Sequence, residues 1–458
     1  MRTLPPRSFR LACKPEHTHL VEMLLRAQGF IFTPDPFFPP ARRLVSGPFS
    51  LGSSLAAVFG YIYIQDRSSM LPPLALNPEP GASVLDMCAS PGGKTGILAQ
   101  LTGQNAFVLA NEPSGDRLIT LRRNLQTLNL FSCATTSYPG EKLPLPSAPD
   151  ARTTTRLPHA PGTDDDEMSG GWDCILLDPP CSGWGTAEKH PRVLRLWQGD
   201  KVKPLIGLQR RLLAEAARLL RPGGKLVYST CTTNVEENEA QLRFAREELG
   251  LVFLPLEPLP GFIFADPRLP EFVGVWRVNS GQDGQGFFVS LLQKPETCRT
   301  GDGARPDEQH GYGRRARGDS RKHRAMPLDR SLLAEGYVDT ALLPPGDIAV
   351  FNSVIRFLPA GSRALPAHDF SWKGFPLGRF ERKLRISPHL RGLMPAINLA
   401  RRRGLPCLDL EDPAPAMALL TGQSLIVNAS SPEMGLYFRG LPLCRLTVKG
   451  ARAVLPPL

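Results

Sequence analysis

The stretch SVLDMCASPGGKTGILAQLT, residues 83–102, decides the fold. SVLDM (83–87) reads as a strand, and KTGILAQLT (94–102) reads as a helix opening from a Gly-Gly turn. Glycines there let the backbone approach a ligand, and the helix behind them points its first N–H groups at anionic groups. The turn is neither a Walker loop, which needs GxxxxGK followed by Ser or Thr, nor a GxGxxG fingerprint. Working outward, the chain keeps alternating. NAFVLANE (105–112) is a second strand, and SGDRLITLRRNLQTLN (114–129) is an amphipathic helix with Leu118, Leu121, Leu125 and Leu128 at helical spacing. WDCILLD (172–178) and KLVYST (225–230) read as further strands, separated by the helical LIGLQRRLLAEAARLL (205–220), which Arg-Pro-Gly-Gly stops. ENEAQLRFAREEL (237–249) is another helix and GFFVSLLQK (286–294) a closing strand. Such alternation predicts an α/β fold with a doubly wound, mostly parallel, Rossmann-like sheet that binds ligands beyond the carboxyl ends of its strands. Glu112 ends the second strand, about twenty residues past the turn, where such folds set an acid on a ribose hydroxyl pair.

Two cysteines follow strand ends in the same way. Cys181 lies in ILLDPPCSGWGT (175–186) and Cys231 in KLVYSTCT (225–232). One buried thiol is ordinary packing; two at one sheet edge are not. The order of cofactor turn, Pro-Cys and Ser-Thr-Cys suits an enzyme that adds a thiolate to an electron-poor ring and then releases it.

The composition narrows the class. With 42% hydrophobic and 21% charged residues over 458 positions, the chain reads as globular and of several domains. No apolar run reaches the ~18 residues of a membrane span, and MRTLPPRSFRLACK lacks the apolar core of an export signal. Nine cysteines without a CxxC pair argue against a disulfide or metal framework, so a reduced, cytoplasmic setting without membrane attachment is expected. A net charge of +11 favours a polyanionic partner, and nucleic acid is the obvious one. Residues 140–171, with Pro, Thr, Ser and an Asp164–Glu167 acidic run, read as a flexible insertion, and 296–328 as an Arg/Gly-rich linker. Residues 329–458 read as a β-rich region of hairpins, in which GFPLGRFERK (374–383) and RGLPLCRLTVK (439–449) each place Gly-x-Pro-Leu between strands. Arg379, Arg382, Lys383, Arg385 and the run Arg401–Arg403 are candidates for a phosphate track. His190 is assigned no role.

Residues 60–294 resemble the RNA cytosine-C5 methyltransferases of the nucleolar-protein/Sun type. The resemblance rests on YIQDRSSM (63–70), LDMCASPGGKT (85–95), Glu112 with the RLITLRRNL helix, LLDPPCSGWGTAEKHP (176–191), RPGGKLVYSTCTTNVEENE (221–239) and GQGFFVSLLQK (284–294). It implies a role for each matched residue. Cys231 would attack C6 of cytosine, and Cys181 would help remove the C5 proton and release the product. Asp178 would hold the base along its N3/N4 edge. Cys88, Ala89, Ser90, Pro91, Gly92, Gly93 and Lys94, with Glu112 and Asp178, would bind S-adenosyl-L-methionine, and Lys94 would also face the reacting ring. The chemistry is coherent, since cytosine C5 is a poor nucleophile until a thiol adds at C6. A base must then strip the C5 proton. The C-terminal third resembles the PUA-like extension of family members that act on small-subunit ribosomal RNA. The domains implied are an N-terminal RNA-binding extension (1–75), a methyltransferase domain (76–295), the linker, and a PUA-like RNA-binding region (329–458), in a monomer acting on ribosomal RNA or the small subunit. A tRNA cytosine-C5 methyltransferase and a non-catalytic RNA-binding scaffold are the alternatives.

Two positions depart from the family pattern. Pro179 replaces the usual alanine of Asp-Ala-Pro-Cys, which stiffens the loop. Pro139 stands where an aspartate usually meets the adenosine, so adenine recognition is expected to be remodelled.

Overall fold

A computed structural model of the chain describes residues 7–145, 171–281, 284–296, 326–333, 336–365, 372–428 and 431–457. The central sheet runs through β1 (Ser83–Asp86), β2 (Phe107–Asn111), β3 (Cys133–Thr136), β4 (Trp172–Leu177), β5 (Leu220–Thr230) and β6 (Phe287–Gln293). Its order is β6-β5-β4-β1-β2-β3, parallel throughout except for β6. Strand order reverses between β1 and β4, so a crevice opens at their carboxyl ends.

Helices cover both faces: α1 (Leu71–Leu76), α2 (Gly93–Thr102), α3 (Gly115–Thr127), α4 (Lys203–Leu219) and α5 (Glu239–Glu247). Double coverage explains why the strands are nearly continuous apolar runs rather than alternating ones. Val84, Val108, Cys174, Leu176 and Val227 pack into one layer, while their neighbours Leu85, Leu109, Ile175, Leu177 and Tyr228 pack into the other. The expected α/β doubly wound sheet is the fold observed.

Some boundaries differ from those expected. The helix before Arg-Pro-Gly-Gly ends at Leu219, and the strand runs through the glycines because Leu220 pairs with Trp172 of β4. Of the expected insertion at 140–171, residues 140–145 belong to the folded domain: a Cβ on Gly140 would lie 2.5 Å from the Leu212 side chain, and Leu143 is buried. Most of that insertion (146–170) and of the linker (297–325) lies outside the described residues.

The regions flanking the central sheet share a core. The N-terminal segment forms an antiparallel four-stranded sheet from Ser8–Leu11, Ile31–Pro34, Ala41–Ser46 and Ile62–Ile64. Residues beyond 326 form two five-stranded sheets rather than one small hairpin domain. Phe9, Leu24, Phe30 and Leu55 of the N-terminal segment pack in one cluster with Leu436, Phe438, Leu443 and Leu446 of the second C-terminal sheet. Tyr61 Oη donates to the Pro442 carbonyl, and buried Arg391 donates to the carbonyls of Phe59 and Gly60 while its guanidinium sits 4.1 Å over the Tyr61 ring. Deleting 329–458 would therefore expose the N-terminal core. The two Gly-x-Pro-Leu segments also part ways: Pro376 and Leu377 lie inside a strand, whereas Arg439 (φ 47°) and Gly440 (φ 84°) make a two-residue hairpin turn. Among the described residues no helix is long and apolar enough to cross a membrane.

Candidate active site

The cofactor turn leaves the carboxyl end of β1 and enters α2. Gly92 takes φ +104°, which a side chain resists, and a Cβ on Gly93 would lie 2.8 Å from the Tyr63 ring. The turn thus passes close under the N-terminal segment and frees the first N–H groups of α2. Glu112 is buried just past β2, where its Oε1 accepts the Ser114 N–H at 3.0 Å. Its Oε2 lies 3.3 Å from Arg117 but, like Asp86 Oδ1, receives no hydrogen bond among the described residues. Burial raises the Asp86 carboxyl to about 7, with the Thr95 hydroxyl opposing that shift. Two buried acceptor oxygens flanking a glycine turn fit a ligand that brings hydroxyl donors, such as a ribose. Pro139 offers no side-chain acceptor; the end of β3 is held instead by Asn111, which donates to the Met87 and Tyr138 carbonyls at 3.1 Å each.

Lys94 does not stay with the turn. Its Nζ reaches 2.7 Å from Asp178 Oδ2, beyond β4, and donates to Ser69 Oγ at 3.3 Å. Burial alone would push this ammonium down, but Asp178, together with Asp86 and Cys231, holds the group above its ordinary value. Ser229, near the end of β5, donates to Asp178 Oδ1 at 3.0 Å.

Cys181 and Cys231 are brought together, with their Sγ atoms 3.3 Å apart. Their environments drive them in opposite directions. The hydrogen bond from Cys181 holds Cys231 below the usual thiol range, with Lys94 assisting against burial and Asp178. The same hydrogen bond, then burial, pushes Cys181 well up. Cys88, in the cofactor turn, is raised by burial, so it is no rival thiolate. Of the residues expected at the site, the structure gathers Lys94, Asp178, Cys181 and Cys231 in one group, while Cys88–Gly93 and Glu112 border the crevice beside it.

What holds the thiols in register is a carboxylate that the sequence did not single out. Glu237 is fully buried. It accepts the Ser182 N–H at 2.9 Å and the Ser182 hydroxyl, and Gln209 and Asn234 donate to it at 3.0 and 3.1 Å. Ser182 Oγ in turn lies 2.7 Å from Thr232 Oγ1. Ser182 and Thr232 each follow a cysteine, so Glu237 ties the two cysteine loops together. The Gly185 N–H adds a direct strap, donating to the Cys231 carbonyl at 3.0 Å. Glu237 lies inside the TCTTNVEENE run, but nothing in spacing distinguishes it from its acidic neighbours.

Glu237→Gln replaces one acceptor oxygen with an NH2 donor that faces donors. It is expected to lower unfolding free energy by about 3 kcal/mol, read from urea denaturation, with intact cofactor affinity. A loss under about 1 kcal/mol would mean that the network is not what fixes these loops.

The family described as 16S rRNA methyltransferase RsmB/F matches residues 73–293. Ribosomal RNA small subunit methyltransferase F of Shewanella amazonensis is 38% identical, over 51% of this chain and 46% of its own length. The protein of that name from Escherichia coli is 36% identical, over 58% and 53%. The crystal structure of a methyltransferase homolog protein from Pyrococcus horikoshii is 32% identical, with a TM-score of 0.51 over 64% of this chain and 87% of that one. NSun6 from the same organism, at 21% identity and TM-score 0.51 over 64% and 92%, shares the fold. The chain spans about half the length of the curated relatives it matches. The sheet order and glycine turn are those of a Rossmann-like methyltransferase. Within that class, residues 73–293 match the RsmB/F family.

Proposed function

We propose that the protein methylates C5 of a cytosine in RNA, with small-subunit ribosomal RNA as substrate and S-adenosyl-L-methionine as methyl donor. The observation that carries this reading is the thiol pair beside Lys94 and Asp178 at the carboxyl ends of β4 and β5. The Cys88–Lys94 turn and Glu112 would hold the cofactor, whose sulfonium supplies the methyl group to the activated ring.

In this reading Cys231, whose Sγ lies 3.3 Å from that of Cys181, is the nucleophile, the role that the resemblance to the cytosine-C5 methyltransferases gives it. Its Sγ bonds to C6, and the displaced electron pair makes C5 an enamine-like carbon. Asp178, oriented by Lys94 and Ser229, receives the exocyclic N–H of the base. Addition also consumes the negative charge on Cys231, which removes the main cause holding the Cys181 proton. Once its own proton has passed to solvent, the Cys181 thiolate takes the C5 proton of the methylated ring; the C5–H electron pair re-forms the C5–C6 double bond as the C6–Sγ bond breaks, and Cys231 leaves as the thiolate. The two thiols act in sequence because the first step changes the acidity of the second. The β-rich region beyond 326, joined to the N-terminal sheet by a common core, would supply RNA affinity, in the manner of a PUA-like module. A cytoplasmic monomer fits this reading.

The test is methyl transfer from labelled cofactor to ribosomal RNA, with transfer RNA in parallel, followed by nucleoside analysis. 5-Methylcytidine in ribosomal RNA supports the proposal. Label confined to transfer RNA would redirect it to that substrate, and label on an exocyclic nitrogen would refute the thiol chemistry.

A further inference from the structure

The far edge of the methyltransferase sheet carries a basic site separate from the cysteines. Strand Trp372–Lys373 adds antiparallel to β3, with Trp372 opposite Thr136 and Lys373 opposite Thr135. This joins the first C-terminal sheet to the methyltransferase domain. A small cleft at the seam is lined by Arg122 of α3, Thr135 of β3, Arg356 and Lys373. Arg122 Nε donates to Thr135 Oγ1 at 3.0 Å, and Arg356 Nη1 donates to the Gly374 carbonyl at 2.9 Å. These bonds orient both guanidinium groups without neutralising either. Among the described residues no carboxylate acts on Arg122, Arg356 or Lys373. Burial pushes both arginines down, and burial followed by the two arginines pushes Lys373 down. Partly desolvated like charges without a counter-ion destabilise the folded chain.

The same pattern continues along the C-terminal sheet. Arg379 pairs across from Val354, on the face opposite buried Ile355 and Phe357, and Arg385 stands directly across from Arg379. Like charges directly opposite each other weaken a strand pair. Arg356, Arg379 and Arg385 share one face of that sheet, and Arg356 also lines the cleft with Arg122 and Lys373; a polyanion would offset these five cations most directly. Guanidinium forks beside a hydroxyl suit the several oxygens of a phosphate.

We propose that Arg122, Arg356 and Lys373 form a binding site for a backbone phosphate of RNA, extended along the sheet by Arg379 and Arg385. The proposal rests on the reading of the protein as an RNA-modifying enzyme. β3 is four strands from β5, about 19 Å across the sheet at about 4.8 Å per strand. The site would therefore set the register of the RNA at a distance from the reacting base. Cations spread from the cleft along the sheet face suit a chain of phosphates better than a single small anion.

The test uses the full chain with Lys373→Gln and Arg356→Gln, singly and combined. RNA affinity is measured by fluorescence anisotropy between about 50 and 200 mM salt. Melting temperature and S-adenosylmethionine affinity are followed in parallel. The double variant should bind RNA about tenfold more weakly, with the slope of log affinity against log salt reduced by about 0.7–0.9 for each phosphate no longer neutralised. Cofactor affinity should be unchanged, and Arg356→Lys should restore most of the RNA binding. Lys373→Gln breaks no hydrogen bond among the described residues and carries the test alone if the double variant melts early. Unchanged affinity and slope in a folded variant would overturn the proposal. So would inorganic phosphate that stabilises the wild type but not the variant while RNA affinity is equal, because the site would then take a free anion. Wild-type protein that binds RNA through these residues yet transfers no methyl group would sink the proposed function and leave the phosphate site standing.

Discussion

Replacing Cys231 with alanine is expected to abolish methyl transfer to RNA while S-adenosylmethionine binding stays intact. Without the thiolate no bond forms at C6, and C5 remains too poor a nucleophile to take the methyl group. The expected fall is at least about 10⁴-fold, or roughly 5 kcal/mol of transition-state stabilisation at 1.36 kcal/mol per decade. The cofactor turn lies on β1 and α2, apart from the loop after β5, so cofactor affinity measured by calorimetry should move by less than about twofold. Single-turnover transfer within tenfold of wild type would remove Cys231 from the role of nucleophile.

Replacing Cys181 with alanine should have the opposite kinetic character: chemistry begins but does not finish. With no base 3.3 Å from the nucleophilic sulfur, methylated adduct should accumulate as a protein–RNA species that survives denaturing electrophoresis. The same variant loses the hydrogen bond that holds Cys231 low. A donor to the sulfur stabilises its thiolate, so deleting the donor raises the Cys231 pKa. In the wild type the alkylation rate of Cys231 by iodoacetamide should rise through a pH below the ordinary thiol value of about 8.5, and in Cys181→Ala that limb should move upward. A limb that stays in place would mean that Lys94, rather than Cys181, holds the thiolate.

How legible the molecule was in its sequence depends on the range over which each feature is encoded. The parallel sheet was readable because strands buried on both faces, such as Ile175–Leu177, must be apolar at every position. The glycine turn and both cysteines were readable because each sits next to a strand end within a few residues. That Cys181 and Cys231 end strands at one sheet edge was legible in the pattern; their 3.3 Å approach and the Lys94–Asp178 pair were not, since each joins separate βα units that no local pattern connects. Glu237 escaped notice because its role comes from burial: a glutamate in a run of acids reads as solvated until Ser182, Gln209 and Asn234 are seen converging on it. The core shared by Phe9 and Phe438 was hidden for a related reason, because hydrophobic periodicity marks a buried face but not the element that covers it. The seam of Arg122, Arg356 and Lys373 likewise draws its three cations from a helix and two strands far apart in the chain.

The central claim is that Cys231 bonds covalently to the ring. It is tested most directly with RNA in which the target cytosine carries fluorine at C5. Fluorine cannot leave as a proton would, so the ring should remain attached after methyl transfer. Protease digestion and mass spectrometry of the trapped complex should find the nucleotide on the peptide containing Cys231, with Cys181 unmodified. Attachment at Cys181, or active enzyme with no attachment at either thiol, would contradict the account.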